Sequence, residues 1–131
     1  SCQYCCIGAF YHERGAKFGY LITSNCMPLL ELFVEAGVDV LIGVDPREWD
    51  LAKTKQVLGG KVCLWGGVNG HITIETRMSQ AVIAETKQAI EILSPNGGFI
   101  LSPVDNVREA TPHSMDNVEI MIREWRRSIS G

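Results

Sequence analysis

Short apolar runs alternate along the chain with longer segments of helical period. Four runs follow one pattern: a glycine, then the run, then a small or polar residue close to an Asp or Asn. Gly15 precedes Lys17 to Thr23, which ends at Ser24 and Asn25, and Gly37 precedes Val38 to Val44, which ends at Asp45 and Pro46. Gly59 and Gly60 precede Lys61 to Trp65, followed by Gly66, Gly67 and Asn69; Gly97 and Gly98 precede Phe99 to Ser102, followed by Pro103, Asp105 and Asn106. A repeated strand–turn–helix unit accounts for this recurrence.

The intervening segments predict helices. Pro28 suits a first turn, Leu29, Leu30, Phe33 and Ala36 share a face, and Gly37 closes the helix. A second helix is expected from about Asp50 to Leu58, stopped by Gly59 and Gly60. A third, starting between Thr76 and Ser79, puts Met78, Val82, Ala89, Ile92 and Leu93 on one side and ends at Ser94 to Gly97. The last has Thr111 as N-cap and Pro112 at the first helical position, with Met115, Val118, Ile122, Trp125 and Ile129 at helical spacing. Residues Ile7 to Arg14 read as the tail of a helix. Strands apolar on both faces and alternating with helices predict the α/β class, a parallel sheet covered by helices with right-handed crossovers.

Composition narrows the picture. A chain of 131 residues with 46% apolar content makes a single domain that buries roughly two thirds of its surface. Charged positions interrupt every apolar run before it reaches membrane-spanning length, so no membrane partner is expected. Twelve basic against 15 acidic residues give a net charge of -3, without the excess of cations that a nucleic-acid backbone requires. The five cysteines, Cys2, Cys5, Cys6, Cys26 and Cys63, are odd in number and Cys63 sits in an apolar run as a small buried hydrophobe, which points to a reducing, cytoplasmic compartment. No signal-peptide pattern opens the chain. A start inside a helix, without an initiator Met, is what a fragment or a processed chain shows, so residues 1–14 read as a truncated helix and 15–131 as four βα units.

In parallel sheets, chemistry gathers beyond the carboxyl ends of the strands. Asn25, Asp45, Asn69 and Asp105 each follow a strand and are expected to converge on one rim, although Asx and Gly residues also make ordinary turns there. Arg47 and Arg108 follow strand ends too, with Arg108 the better placed to meet a substrate carboxylate. His71 lies in a loop on the same side, whereas His12 and His113 read as helix-surface residues. The run Gly66-Gly67-Val68-Asn69-Gly70 allows a loop whose amides cradle an anion, though it matches no established phosphate-binding pattern. The pair Cys2 and Cys5, with Cys6 beside it, has C-x-x-C spacing but lacks a second pair. Arg123, Arg126 and Arg127 neighbour Glu119 and Glu124 and read as a solvated face.

Together, Gly37-Val38-Asp39 through Asp45-Pro46, Lys61 to Asn69, Gly98 to Pro103, and Thr111-Pro112 before Asn117 resemble the C-terminal half of the uroporphyrinogen decarboxylase superfamily. The resemblance runs from about Gly15 to Arg127 and implies half of a TIM (β/α)8 barrel. It also implies cofactor-independent decarboxylation of a tetrapyrrole, in which a protonated pyrrole is the electron sink. Where the decarboxylases carry a His after the last strand, and related corrinoid or thiol methyltransferases a zinc-binding Cys, this chain has Asp105. Where the methyltransferases place a His and a Cys after the first of these strands, it has Ser24, Asn25 and Cys26. The decarboxylase pattern Gly, Asn, Leu, Asp is met in part by Gly66, Gly67, Val68 and Asn69.

The expected catalytic residues are therefore Asp105, which would hold a proton if buried, with Asn69 and Asp45. The expected substrate contacts are Arg108, Asn25, Gly66, Gly67, His71 and Ser102. No cofactor is implied for decarboxylation; a rebuilt zinc site of a methyltransferase-like protein would draw on Cys26, Asp105 and His71. A third alternative is an inactive assembly module. Because four parallel strands leave two open edges and an uncovered face, a homodimer is expected.

Overall fold

A computed structural model of the chain describes residues 3–131. Helix α1 (Gln3–His12) leads to strand β1 (Gly19–Leu21), and a single 3-10 turn (Met27–Leu29) runs into α2 (Leu30–Glu35). Strand β2 (Val40–Val44), helix α3 (Leu51–Leu58) and strand β3 (Cys63–Asn69) follow. A π-helical turn (Gly70–Ile74), α4 (Ser79–Leu93), β4 (Phe99–Val104) and α5 (Pro112–Ser130) complete the chain. The four strands form one parallel sheet in the order β1-β2-β3-β4, the topology of consecutive βα units. Among the described residues, no helix is long and apolar enough to cross a membrane.

Strand register explains why both faces of every strand are apolar. Tyr20, Leu41, Leu64 and Phe99 form one row across the sheet on the face the helices cover, and Leu41 and Leu64 are wholly buried. The next row, Leu21, Ile42, Trp65 and Ile100, lies on the opposite, uncovered face. The helices pack in two clusters. One joins Leu30, Phe33, Leu51 and Leu58 to β2 and β3; the other joins Val68, Ile74, Val82, Ile120 and Met121.

The predicted elements are present with shifted ends. The third strand reaches Asn69 rather than stopping at Trp65, so Gly66 and Gly67 are strand residues paired with Leu101 and Ser102. They form no anion-cradling loop. Gly66 has φ +143 and Gly67 φ +103, and a Cβ on Gly67 would stand 2.9 Å from the Ala89 Cβ and 3.1 Å from the Phe99 ring. These glycines admit a bulge beside Val44 and let α4 lie close on the strand.

The α5 stripe Met115, Ile122, Trp125 and Ile129 is exposed, and the helix instead turns Ser114, Asn117, Ile120, Met121 and Glu124 inward. Asn117 donates to the carbonyls of Ile74 and Arg77, which fixes α5 to the end of the π turn. Glu124 is no member of a solvated face, since it is buried between Arg127 at 2.8 Å and Lys87 at 3.8 Å. Met78 is likewise exposed as the residue before α4, and Thr86 takes its place on the buried side. Cys63 is half-buried rather than a core residue. Cys2 and the Cys5 side chain lie outside what the structure describes.

At the opposite end of the strands Asp39 ties α1 to the sheet. Its carboxylate accepts from Phe18 N at 2.7 Å and pairs with His12 at 2.7 Å and Lys17 at 3.8 Å. The exposed His12 is therefore an anchoring residue. His113 has a comparable tie through Nε2, 2.9 Å from the Arg77 carbonyl.

Candidate functional site

The carboxyl ends of the strands carry the polar groups. Asp45, at the end of β2, is buried; its Oδ1 accepts from Arg47 N at 3.0 Å and its Oδ2 from Asn69 Nδ2 at 2.8 Å. Asn69 ends β3 and is buried as well. Its Oδ1 caps the π turn by accepting from Ile72 N at 2.6 Å, so one side chain spans two strand ends and opens the next helix.

Glu85 holds this arrangement from α4. Its two oxygens accept from Asn69 N at 2.6 Å and from the Thr73 hydroxyl at 2.7 Å. Nothing in local spacing marks Glu85, because sixteen residues separate it from Asn69. The usable signal is weaker: a carboxylate on a helix face otherwise made of Val82, Thr86 and Ala89 needs a partner.

Beside this network lies a cleft of about 510 Å³ on the uncovered face of the sheet. Its floor is apolar, from Leu21, Ile42 and Trp65, and its polar wall is Thr23, Ser102, Asp105, Asn106 and Arg108. Ser102 donates to the Pro103 carbonyl at 2.7 Å. Asp105 has φ +61 and is exposed rather than buried. The expectation of a buried acid at this position is therefore not met. Among the described residues, the Asp105 carboxylate and the Arg108 guanidinium take no partner, which leaves opposite charges free on one wall of the cleft.

The π turn contributes His71 and Glu75. His71 Nδ1 lies 2.8 Å from Glu75 Oε2, and Glu75 Oε1 accepts from Arg108 N. The Arg108 amide and the His71 ring together hold the Glu75 carboxyl below the usual carboxylate range. Gly70 permits the close approach: a Cβ there would stand 2.6 Å from the Val104 carbonyl oxygen. π-Helical turns recur at functional sites, and this one joins the end of β3 to the loop after β4. Glu75 bears no sequence signal beyond its place four residues after His71.

Four predicted residues therefore fall outside a shared cluster. Asn25 is exposed, with its Oδ1 engaged by Met27 N at 3.0 Å in a local turn. Gly66 and Gly67 are buried in β3. Cys26 packs into the core, and burial raises its thiol pKa. The zinc-site combination of Cys26, Asp105 and His71 does not assemble, since among the described residues no three His, Cys, Asp or Glu side chains stand close enough to hold a metal ion. A buried neutral thiol is also a poor zinc ligand. A second hollow of about 170 Å³, between Phe18, Tyr20, Leu29, Leu32 and Phe33, offers little to orient a polar substrate.

Parallel strands with covering helices on one face and a polar rim at the carboxyl ends define part of a TIM-type barrel. Residues 7–128 match the profile of the uroporphyrinogen decarboxylase (URO-D) family, and the chain belongs to that family. Among solved structures, a methyltransferase from Methanosarcina mazei superposes with a TM-score of 0.76 at 22% identity. The match covers 98% of this chain and 36% of that one, so this chain spans little over a third of that protein's length. The likeness is one of fold. No curated protein matches the sequence at a significant level.

Proposed function

We propose that the chain forms the Asp45–Asn69–Arg108 side of a URO-D-type site that binds a carboxylated tetrapyrrole and takes part in its decarboxylation. The observation that carries this reading is the cleft itself: a flat apolar floor with Trp65 and an unpaired Arg108 on the wall. A macrocycle needs the former and its carboxylates the latter. Removing CO2 leaves an electron pair on the carbon next to the pyrrole, and one proton from solvent must replace the carboxylate. The rim offers carboxylate and imidazole groups that can carry protons and a guanidinium that serves as a fixed cation.

Methyl transfer is the second reading, favoured by the fold of the archaeal methyltransferase. It draws less support from this chain's own side chains, because the one cysteine near the rim, Cys26, is buried in the core. A homodimer is proposed as well, and in it a second copy competes with the macrocycle for the Trp65 row of the open face.

Uroporphyrin titrated into the chain should quench Trp65 fluorescence saturably, with Trp65→Phe removing that component. Arg108→Ala should weaken binding about tenfold, the loss of one charge-assisted contact. Quenching that neither variant alters would overturn the assignment. Turnover of uroporphyrinogen with release of CO2, against methyl transfer from methylcobalamin to a thiol, separates the two reactions.

A further inference from the structure

The rim of β3 holds a histidine whose ring is fixed at one nitrogen. We propose that Glu75 positions His71 as the Nδ1-protonated tautomer, leaving Nε2 as the proton-accepting atom of the rim and tying it to the loop that carries Asp105 and Arg108. Three observations converge on this. The His71 Nδ1 to Glu75 Oε2 distance is 2.8 Å, and an ionised carboxylate can only accept, so the proton of that bond sits on Nδ1. The other oxygen of the same carboxylate takes the Arg108 amide, so both its oxygens are engaged and the group cannot turn away from the ring. The His71 side chain is 46% exposed, which leaves Nε2 open to solvent and to a ligand N–H or O–H group.

Glu75 is a positioning residue in this arrangement, and His71 is the group that meets the ligand. The inference deepens the decarboxylation reading and rests on it for its chemistry. There, the bond from the carboxylate to its methylene carbon breaks, CO2 departs, and the electron pair left behind takes up one proton. Nε2 would receive that proton from water, whose hydroxide is taken up by the released CO2 as bicarbonate, and pass it to the carbon, with the Nδ1 proton staying in its bond to Glu75 throughout. Among the acidic and basic residues on the elements packed against the π turn are Glu85 on α4, Asp105, Arg108 and Glu109 after β4, and His113 and Asp116 on α5. Glu85 is engaged by Asn69 and Thr73 and His113 by the Arg77 carbonyl, whereas Glu75 is the ion-pair partner of the His71 ring.

The test is the tautomer itself, read on the full chain without substrate. The chain has three histidines, so His12→Gln and His113→Gln variants assign the ring signals of His71. In long-range ¹⁵N–¹H spectra recorded on the alkaline side of histidine titration, His71 should show a protonated Nδ1 and a bare Nε2. Glu75→Ala should move the ring several-fold toward the Nε2–H form that a free imidazole prefers. Glu75→Gln, which keeps one acceptor oxygen and guards against a disordered loop, should fall between. A wild-type ring protonated at Nε2, or one unmoved by both variants, overturns the proposal. Failure of the tetrapyrrole reading shows elsewhere, as an absence of Trp65 quenching by uroporphyrin, so the two results are distinguishable.

Discussion

At the scale of single residues, stability and function depend on polar groups placed where water is excluded. Thr86 is fully buried on α4 and its hydroxyl has no hydrogen-bond partner. An orphaned buried hydroxyl costs about 1–3 kcal/mol, and valine has nearly the same shape. Thr86→Val is therefore expected to raise the thermal midpoint, and a drop of several degrees would show that the hydroxyl is satisfied. Asp39 acts in the opposite sense. Burial alone would raise its pKa, but the Phe18 amide, His12 and Lys17 outweigh it and lower the value. A depressed carboxyl stabilises the fold above its unfolded value, about 3.9, and loses that contribution as pH falls through the folded one. The difference in urea midpoint between wild type and Asp39→Asn should be large at pH 7 and shrink toward pH 3. A constant difference would remove ionisation from the explanation. The rim is legible in sequence as strand-end Asx residues, of which Asp45 and Asn69 do meet, together with Ser102, His71 and Arg108. Glu85 is not, because its partners Asn69 and Thr73 come from other elements, and Glu75 shows only its spacing from His71 while Arg108 lies 33 residues away.

At the scale of elements, capping chemistry and glycine geometry set the boundaries. Asp50 accepts from Lys53 N at 3.0 Å and starts α3, and Thr111 does the same for α5 through Ser114 N. Asp50→Ala should lower stability by about 1 kcal/mol, read as a shift in denaturant midpoint at unchanged slope. Both helix starts were readable because caps act within three residues. The end of β3 was not, since Gly66 and Gly67 look like a turn in sequence and become strand only because β4 pairs with them and α4 presses on them. The π turn has no sequence mark of its own, because its cap Asn69 also follows a strand, where an Asx residue reads equally well as a site residue. Gly67→Ala tests the packing account. The left-handed φ and the contacts at 2.9 and 3.1 Å together should cost about 1–3 kcal/mol, and a neutral result would show that α4 can recede.

At the scale of the whole molecule, a single row of side chains carries the prediction of self-association. Leu21, Ile42, Trp65 and Ile100 stand in register across all four strands, and Leu21 is 64%, Trp65 37% and Ile100 40% exposed. Both faces of the strands are apolar in sequence, the mark of a sheet covered on both sides; the helices cover only one. In a closed barrel such a row interdigitates with its counterparts across the interior. Here β1 and β4 each have one neighbour, so unpaired backbone groups border the row on both sides. A continuous exposed apolar surface next to open strand edges drives association. Light scattering over a range of concentrations should therefore find a species of twice the 14.5 kDa chain mass. Trp65→Glu should shift it toward monomer without loss of helical signal, because the outer row and the helices that cover it are untouched. A concentration-independent monomer with an intact row would mean that the face is covered by something other than a second copy. Quenching of Trp65 by uroporphyrin in that monomer would then show that the cleft forms on one chain alone.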